Sequence, residues 1–212
     1  MKKILLAVFV VWAKILVAQK EFSPSFAWGF MVGFESQTLG IQPFSANDPE
    51  PMYAESSRTA HGGSVGMFGR WRVWKGLWVQ PALNVASLRT RIRFSEDGEE
   101  SFQFTDLELP LHFVLTNPNE QFPLRGSILL GGRLGWNFAP QNSDNLNFLR
   151  ERLGLDVGLG VEINLKNWRL QPEFVYSHGI NNVHNVVNAK YDWVVGRMVR
   201  DKLTLRVLVW LN

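Results

Sequence analysis

The chain has 212 residues, 46% of them hydrophobic, 13% aromatic and 19% charged, and its 18 Gly, 9 Trp and 15 Phe stand beside no Cys. This profile excludes a disordered tail, a collagen repeat and a disulfide scaffold. Without a thiol there is also no thiolate metal site, no Cys nucleophile and no acylated N-terminal Cys. The formal net charge is +3, and the first residues account for it. Lys2 and Lys3 precede an apolar run from Ile4 to Ala13, followed by Lys14 and by Ile15 to Ala18 before Gln19. A basic start, a short apolar stretch and a closing small residue read as a secretory signal peptide over residues 1–18, against the alternative of an uncleaved anchor. Removing Lys2, Lys3 and Lys14 from the 22 basic residues leaves them level with the 19 acidic ones. Nucleic-acid binding needs a standing excess of Lys and Arg on one face, so no nucleic-acid partner is expected. Residues 19–212 are expected to form a single domain.

Beyond Lys20 the dominant period is two, as in strands with one apolar face. The first run, 26–35, aligns Phe26, Trp28, Phe30, Val32 and Phe34; the second, 64–74, aligns Val65, Met67, Trp71 and Val73. In 77–94 the apolar parity passes through Leu77, Val79, Leu83 and Val85, then switches to Leu88, Ile92 and Phe94, which predicts a bulge near Ala86. Run 102–115 sets Leu107, Leu109, Leu111, Phe113 and Leu115 opposite Asp106, Glu108 and His112. Run 125–138 sets Ile128, Leu130, Leu134, Trp136 and Phe138 opposite Arg125, Ser127, Arg133 and Asn137. In 153–165, Leu153 to Leu165 alternate without error against Gly154, Asp156, Gly158, Gly160, Glu162 and Asn164. Runs 168–178 and 202–212 complete eight strands.

Connection lengths define the architecture. The links at about 36–60, 95–101, 139–151 and 180–201 are the longer ones, whereas Trp74 to Gly76 and Lys166-Asn167 are tight turns; the link from Thr116 to Pro123 is moderate. Turns alternating with loops predict an all-β, eight-stranded antiparallel up-and-down transmembrane β-barrel of the outer membrane with both termini periplasmic. A strand of about 9–11 tilted residues spans a bilayer, and the runs have that length. The rival is a soluble lipocalin-type barrel, disfavoured because Gly and charges share one face while Leu, Val and aromatics fill the other. Hairpin 77–115 exceeds what a bilayer needs. It is expected to project as a charged ribbon, with Arg89, Arg91 and Arg93 facing the acidic loop Ser95 to Ser101, as solvated decoration or as a docking surface.

Trp and Tyr favour the headgroup zone. Trp28, Trp71, Trp74, Trp78, Trp168 and Trp210 are expected at one membrane interface and Trp136 and Tyr176 at the other. Eight strands enclose only enough space for side chains, so the inward Arg70, Arg72, Asp106, Glu108, Arg133, Asp156, Glu162, Arg169, Glu173 and Arg206 are expected to pair into a lattice that plugs the lumen. Catalytic, cofactor and metal sites are not expected. Ser177, His178 and Glu173 hint at hydrolase chemistry, but adjacent strand residues face opposite ways. His178 and His184 lack a carboxylate frame.

The segments AWGFMVGFES (27–36), LWVQPALNV (77–85), FTDLELPLHFVL (104–115), DVGLGVEINLKNWRLQPEFVYSHGINNV (156–183) and DKLTLRVLVWLN (201–212) resemble the PorT family of small outer-membrane barrels of Bacteroidetes. The anchors are Glu108, Pro110 and Leu111, then Asp156, Gly158, Gly160 and Glu162, then Gln171 to Asn182; the link Thr116 to Gln121 departs from the basic turn of the family. The resemblance implies a non-enzymatic accessory or assembly component of the type IX protein secretion system. Its expected partners are outer-membrane lipids, the barrel insertion machinery and other secretion components. Two other functions stay open: a general surface barrel whose external loops bind ligands, and a lipid-modifying barrel using His178 or His112.

Overall fold

The computed structural model describes residues 26–43, 53–118, 123–138, 144–165, 167–186, 189–192 and 195–211; the expected signal peptide, residues 1–18, lies outside the described residues. Eight strands follow one another: β1 (Phe26–Pro43), β2 (Ala54–Trp74), β3 (Leu77–Phe94), β4 (Gly98–Thr116), β5 (Leu124–Asn137), β6 (Glu151–Asn164), β7 (Trp168–Gly179) and β8 (Val195–Leu211). Each pairs antiparallel with its neighbours and β1 pairs with β8, giving a closed up-and-down barrel. Gly76 and Gly98 sit in the turns that open β3 and β4 with φ of 83° and 75°, a left-handed backbone that any Cβ would strain.

The period-two pattern dictates which side faces lipid. On β6, Leu155 and Leu159 are 58% and 62% exposed, while Asp156 and Glu162 are 2% and 0% exposed. An outward belt of Leu, Val and aromatic residues suits acyl chains, which offer no hydrogen bonds, and the inward polar groups must satisfy one another.

Several strands are far longer than a bilayer needs: β2 has 21 residues and β4 has 19. The excess lies at the end carrying the long links, here the loop end, and there the two faces exchange character. On β3 the even-numbered residues point inward throughout, from Trp78, Gln80 and Asn84 at the turn end to Leu88, Ile92 and Phe94 at the loop end. The outward residues change in step from Val79, Leu83 and Val85 to the exposed Arg89, Arg91 and Arg93.

This corrects the expected bulge near Ala86. β3 holds one register with β4 from Asn84 opposite Glu108 to Phe94 opposite Gly98, and the alternation of burial never slips. What changes at Ala86 is the surroundings, from lipid outside and charge inside to water outside and an apolar interior. The links 36–60 and 180–201 are corrected for the same reason: β1 continues to Pro43, β2 starts at Ala54 and β8 at Val195. Above the membrane the outward positions are polar, so the ladder continues where the apolar rhythm has stopped.

Candidate functional site

The lumen is built from inward positions of all eight strands and stacks its charges in tiers. At the end carrying the tight turns, Glu162 on β6 accepts from Arg125, from Arg70 at 3.2 Å and from Arg169 at 3.2 Å. Arg70 also donates to Gln171 Oε1 at 2.7 Å, and its guanidinium lies 4.6 Å from the ring centre of Trp78 and 5.6 Å from that of Trp210. Arg72 lies over Trp78 as well, at 4.7 Å. Indole faces attract cations, so they stabilise guanidinium groups that outnumber the carboxylate between them.

In the middle tier Arg206 donates to Glu173 at 2.6 Å and to His112 Nδ1 at 3.1 Å. That bond leaves the His112 proton on Nε2, which donates to Asp156 Oδ2 at 2.8 Å. Asp156 also accepts from Arg133 at 2.9 Å and from the Ser177 hydroxyl. The upper tier centres on Glu108, which accepts from Arg133 at 2.6 Å, Lys202 Nζ at 2.5 Å, Asn84 at 3.2 Å and Arg152. Lys202 continues to Glu35 at 2.9 Å, while Arg200 donates to Asp106 at 2.6 Å and to Gln37 at 2.8 Å. Removing one member of such a network leaves a buried charge without compensation, so the members hold each other and the walls in place.

Of the ten lumen positions expected from sequence, eight are fully inside and meet in this lattice. Arg72 and Arg169 sit half-buried at the turn-end rim. The lattice also takes in Glu35, Arg125, Arg152, Arg200, Lys202 and His112. Their signal was parity: each lies on the inward parity within an apolar run or one or two residues beyond its end.

Above the upper tier the interior turns apolar. Leu39, Ile92, Phe94, Phe102, Phe104, Leu146, Phe148, Val183, Tyr191 and Met198 belong to one buried cluster, to which the segments near 146 and 191 contribute from outside the strands. Backbone bonds dock those segments: Leu149 N–H to Val183 O at 2.8 Å, Val183 N–H to Met198 O at 2.9 Å and Tyr191 N–H to Asn145 O at 3.1 Å. Side chains fasten them to the β3–β4 turn. Lys190 reaches Asp97 at 2.8 Å and Glu96 at 3.0 Å, the Tyr191 hydroxyl donates to Asp97 at 2.8 Å, and Asn145 donates to Glu100 at 3.1 Å. The hydrogen bonds from Lys190 and Tyr191 hold the Asp97 carboxyl below the usual carboxylate range, and Asp97 in turn raises the Lys190 ammonium. The expected free ribbon is thus corrected: the inner side of the hairpin is greasy and is covered by a cap.

Two interface aromatics are corrected too. Trp28, Trp71, Trp74, Trp136, Trp168 and Tyr176 point outward and are exposed, but Trp78 and Trp210 are 5% and 4% exposed and lie inside the barrel. Both occupy inward parity, between Leu77 and Val79 and between Val209 and Leu211. Ser177 faces the lumen against Asp156, whereas His178 faces outward with Nδ1 2.9 Å from Asp201, so the two share no site.

Residues 17–185 match a family model described as an outer membrane protein beta-barrel domain. No curated protein matches the chain. Among solved structures, the outer membrane protein OprG from Pseudomonas aeruginosa is similar at 10% identity over 88% of this chain and 91% of that one, with a TM-score of 0.52. Neisserial surface protein A matches at 16% identity over 88% and 98%, with a TM-score of 0.46. Ail of Yersinia pestis matches at 13% identity over 89% and 99%, with a TM-score of 0.44. At such identities the likeness to OprG is one of fold.

Proposed function

We propose, for a chain that belongs to the outer membrane protein beta-barrel domain family, that it acts as a sealed, non-enzymatic scaffold serving type IX protein secretion as an accessory or assembly component. The observation that carries the scaffold reading is the double closure of the lumen, by the ion-pair lattice from Glu162 up to Arg200 and by the apolar cluster around Phe148 above it. A permeation path or catalytic cleft needs groups that water or substrate can reach, and these charges are buried against one another.

The secretion role draws its support from the sequence resemblance to the PorT family. Among the residues carrying it, Glu108 on β4, Asp156 and Glu162 on β6 and Glu173 on β7 are lattice members. In this reading the termini and tight turns face the periplasm and its secretion components, the cap faces outward, and the barrel insertion machinery places the chain among outer-membrane lipids. Support for that orientation is the short Lys75-Gly76 turn at the end opposite the docked loops.

Deleting the gene and measuring cargo at the cell surface tests the role. Export is expected to fall and to return with the wild-type chain; undiminished export removes the secretion role and leaves the scaffold. In planar bilayers the purified barrel is expected to give no stable conductance, and steady single-channel steps would contradict the closed lumen. A second reading, a surface barrel that binds ligands through its loops, is favoured by the exposed Tyr53, Ile180 and Val186 at the loop end. Normal export together with lost surface binding in the deletion strain would select it.

A further inference from the structure

Of the three arginines of β3 above the membrane belt, Arg89 and Arg91 are not neutralised by the acidic turn beside them. Glu99 is engaged by Arg93 at 2.8 Å, Glu96 and Asp97 by Lys190, and Glu100 by Asn145. Arg89 stands in register between His61 on β2 and Gln103 on β4, and Arg91 is opposite Ser101 on β4. Both arginines are exposed, and among the described residues neither forms an ion pair.

Their height is set by their neighbours. Phe34, an exposed aromatic of the belt on β1, stacks on His61 with ring centres 5.7 Å apart and planes at 20°. Val85, the last apolar outward residue of β3, lies four positions below Arg89. That separation is roughly 13 Å along the strand and about 10 Å along the membrane normal for a strand tilted by about 40°. The headgroup layer is about 5–8 Å thick on each side, and the flexible arginine stem brings its guanidinium back toward that layer. Between His61 and Val65 on β2 the outward position is Gly63, which faces Ser87 on β3. Two small residues thus leave a shallow shelf directly beneath Arg89.

We propose that Arg89 and Arg91, with His61 beside them, bind the phosphate of a phosphorylated lipid headgroup in the leaflet at the loop end. The charge fits, since unpaired guanidinium groups offer paired N–H donors to phosphate oxygens. The place fits as well, since acyl chains of the same lipid run down the belt past Val85 and Leu83. The site depends on the membrane-embedded barrel and not on the secretion role.

The test uses the full refolded barrel in neutral detergent, titrated with dihexanoyl phosphatidic acid, dihexanoyl phosphatidylcholine or inorganic phosphate and followed by backbone amide shifts along β3. The phosphatidic acid is expected to bind at least about tenfold more tightly than the zwitterionic lipid. The double variant Arg89→Gln/Arg91→Gln is expected to lose most of that preference, whereas Arg93→Gln, whose guanidinium is held by Glu99, is expected to keep it. Arg89→Lys/Arg91→Lys keeps the charge without the fork and is expected to retain part of it. Unfolding midpoints of the variants separate lost binding from lost fold. Equal affinity for the two lipids, unchanged binding in the double Gln variant, or inorganic phosphate binding as tightly as the lipid would each overturn the proposal.

Discussion

Lys202 on β8 donates to Glu108 on β4 at 2.5 Å and to Glu35 on β1 at 2.9 Å, so one ammonium ties three strands together through the barrel interior. Glu108 in turn faces Arg133 and Arg152. Replacing Glu108 by Ala leaves three cations around an empty position. Such loss of a buried partner costs about 3–5 kcal/mol. Urea unfolding of the refolded barrel in lipid vesicles is expected to show that loss for Glu108→Ala and a loss for Lys202→Met as well, which leaves Glu108 with both arginines but takes from Glu35 its ion-pair partner. Equal stability of wild type and Glu108→Ala would show that the lattice does not hold the walls together.

Tryptophans inside and outside the barrel are separable by spectroscopy. Trp28, Trp71, Trp74, Trp136 and Trp168 are exposed on the outer wall, whereas Trp78 and Trp210 are enclosed with Arg70 between them. In single-tryptophan variants reconstituted with brominated lipids, the outer group is expected to be quenched strongly. A chain retaining only Trp78 or only Trp210 is expected to be quenched weakly. Quenching of Trp78 equal to that of Trp74 would place its ring in lipid.

Phe148 packs edge-on against Phe102 and Phe104, with ring centres 5.2 and 5.1 Å away. Truncating a buried Phe to Ala typically costs about 3–5 kcal/mol. Because the strands below are held by their own ladder and lattice, Phe148→Ala is expected to open the cap and leave the barrel folded. Limited proteolysis near residue 146, with unchanged migration of the unheated protein on gels, is the measurement. Resistance equal to wild type would mean that the cap is held by its polar bonds alone.

Those polar bonds make cap docking depend on pH at both extremes. The Asp97 carboxyl is held below its free value, so its contribution is complete above about pH 4 and is lost as pH falls through the lowered value. The Lys190 ammonium is raised, so its contribution is complete below about pH 10 and is lost as pH rises through the raised value. Protection of the amides of residues 189–192, taken as exchange relative to the intrinsic rate at each pH, is expected to stay flat between these limits and to fall outside them. Asp97→Asn is expected to remove the acid limb, and an acid limb that survives in that variant would assign it to another group.

Two glycines separate backbone strain from space. A Cβ at Gly98 or at Gly126 meets nothing within 4 Å, but only Gly98 has a left-handed φ, of 75°. Gly98→Ala is expected to cost about 1 kcal/mol. Gly126→Ala is expected to leave the unfolding midpoint unchanged or slightly raised, and equal losses at both positions would refute the distinction.

The lattice and the cap were unequally legible before the structure. Alternation of apolar and polar residues over Leu153 to Leu165 is a local property, and it alone determined the strand and its division into an apolar and a polar face, because a side chain on a strand has only two directions to point. Strand number and the tight turns at Lys75-Gly76 and Lys166-Asn167 then left few topologies other than a closed barrel. The sequence did not determine where the membrane stops. Leu88, Ile92 and Phe94 look like a register change when the outside is assumed to be lipid throughout. Only closure of the barrel above the bilayer, with Leu146, Phe148 and Tyr191 brought in from distant segments, makes them a second interior. The pairings are tertiary for the same reason: Arg200 meets Asp106 and Lys202 meets Glu108 across the lumen, since parity turns charges inward but only the curvature and stagger of eight strands decide which of them come within hydrogen-bonding distance.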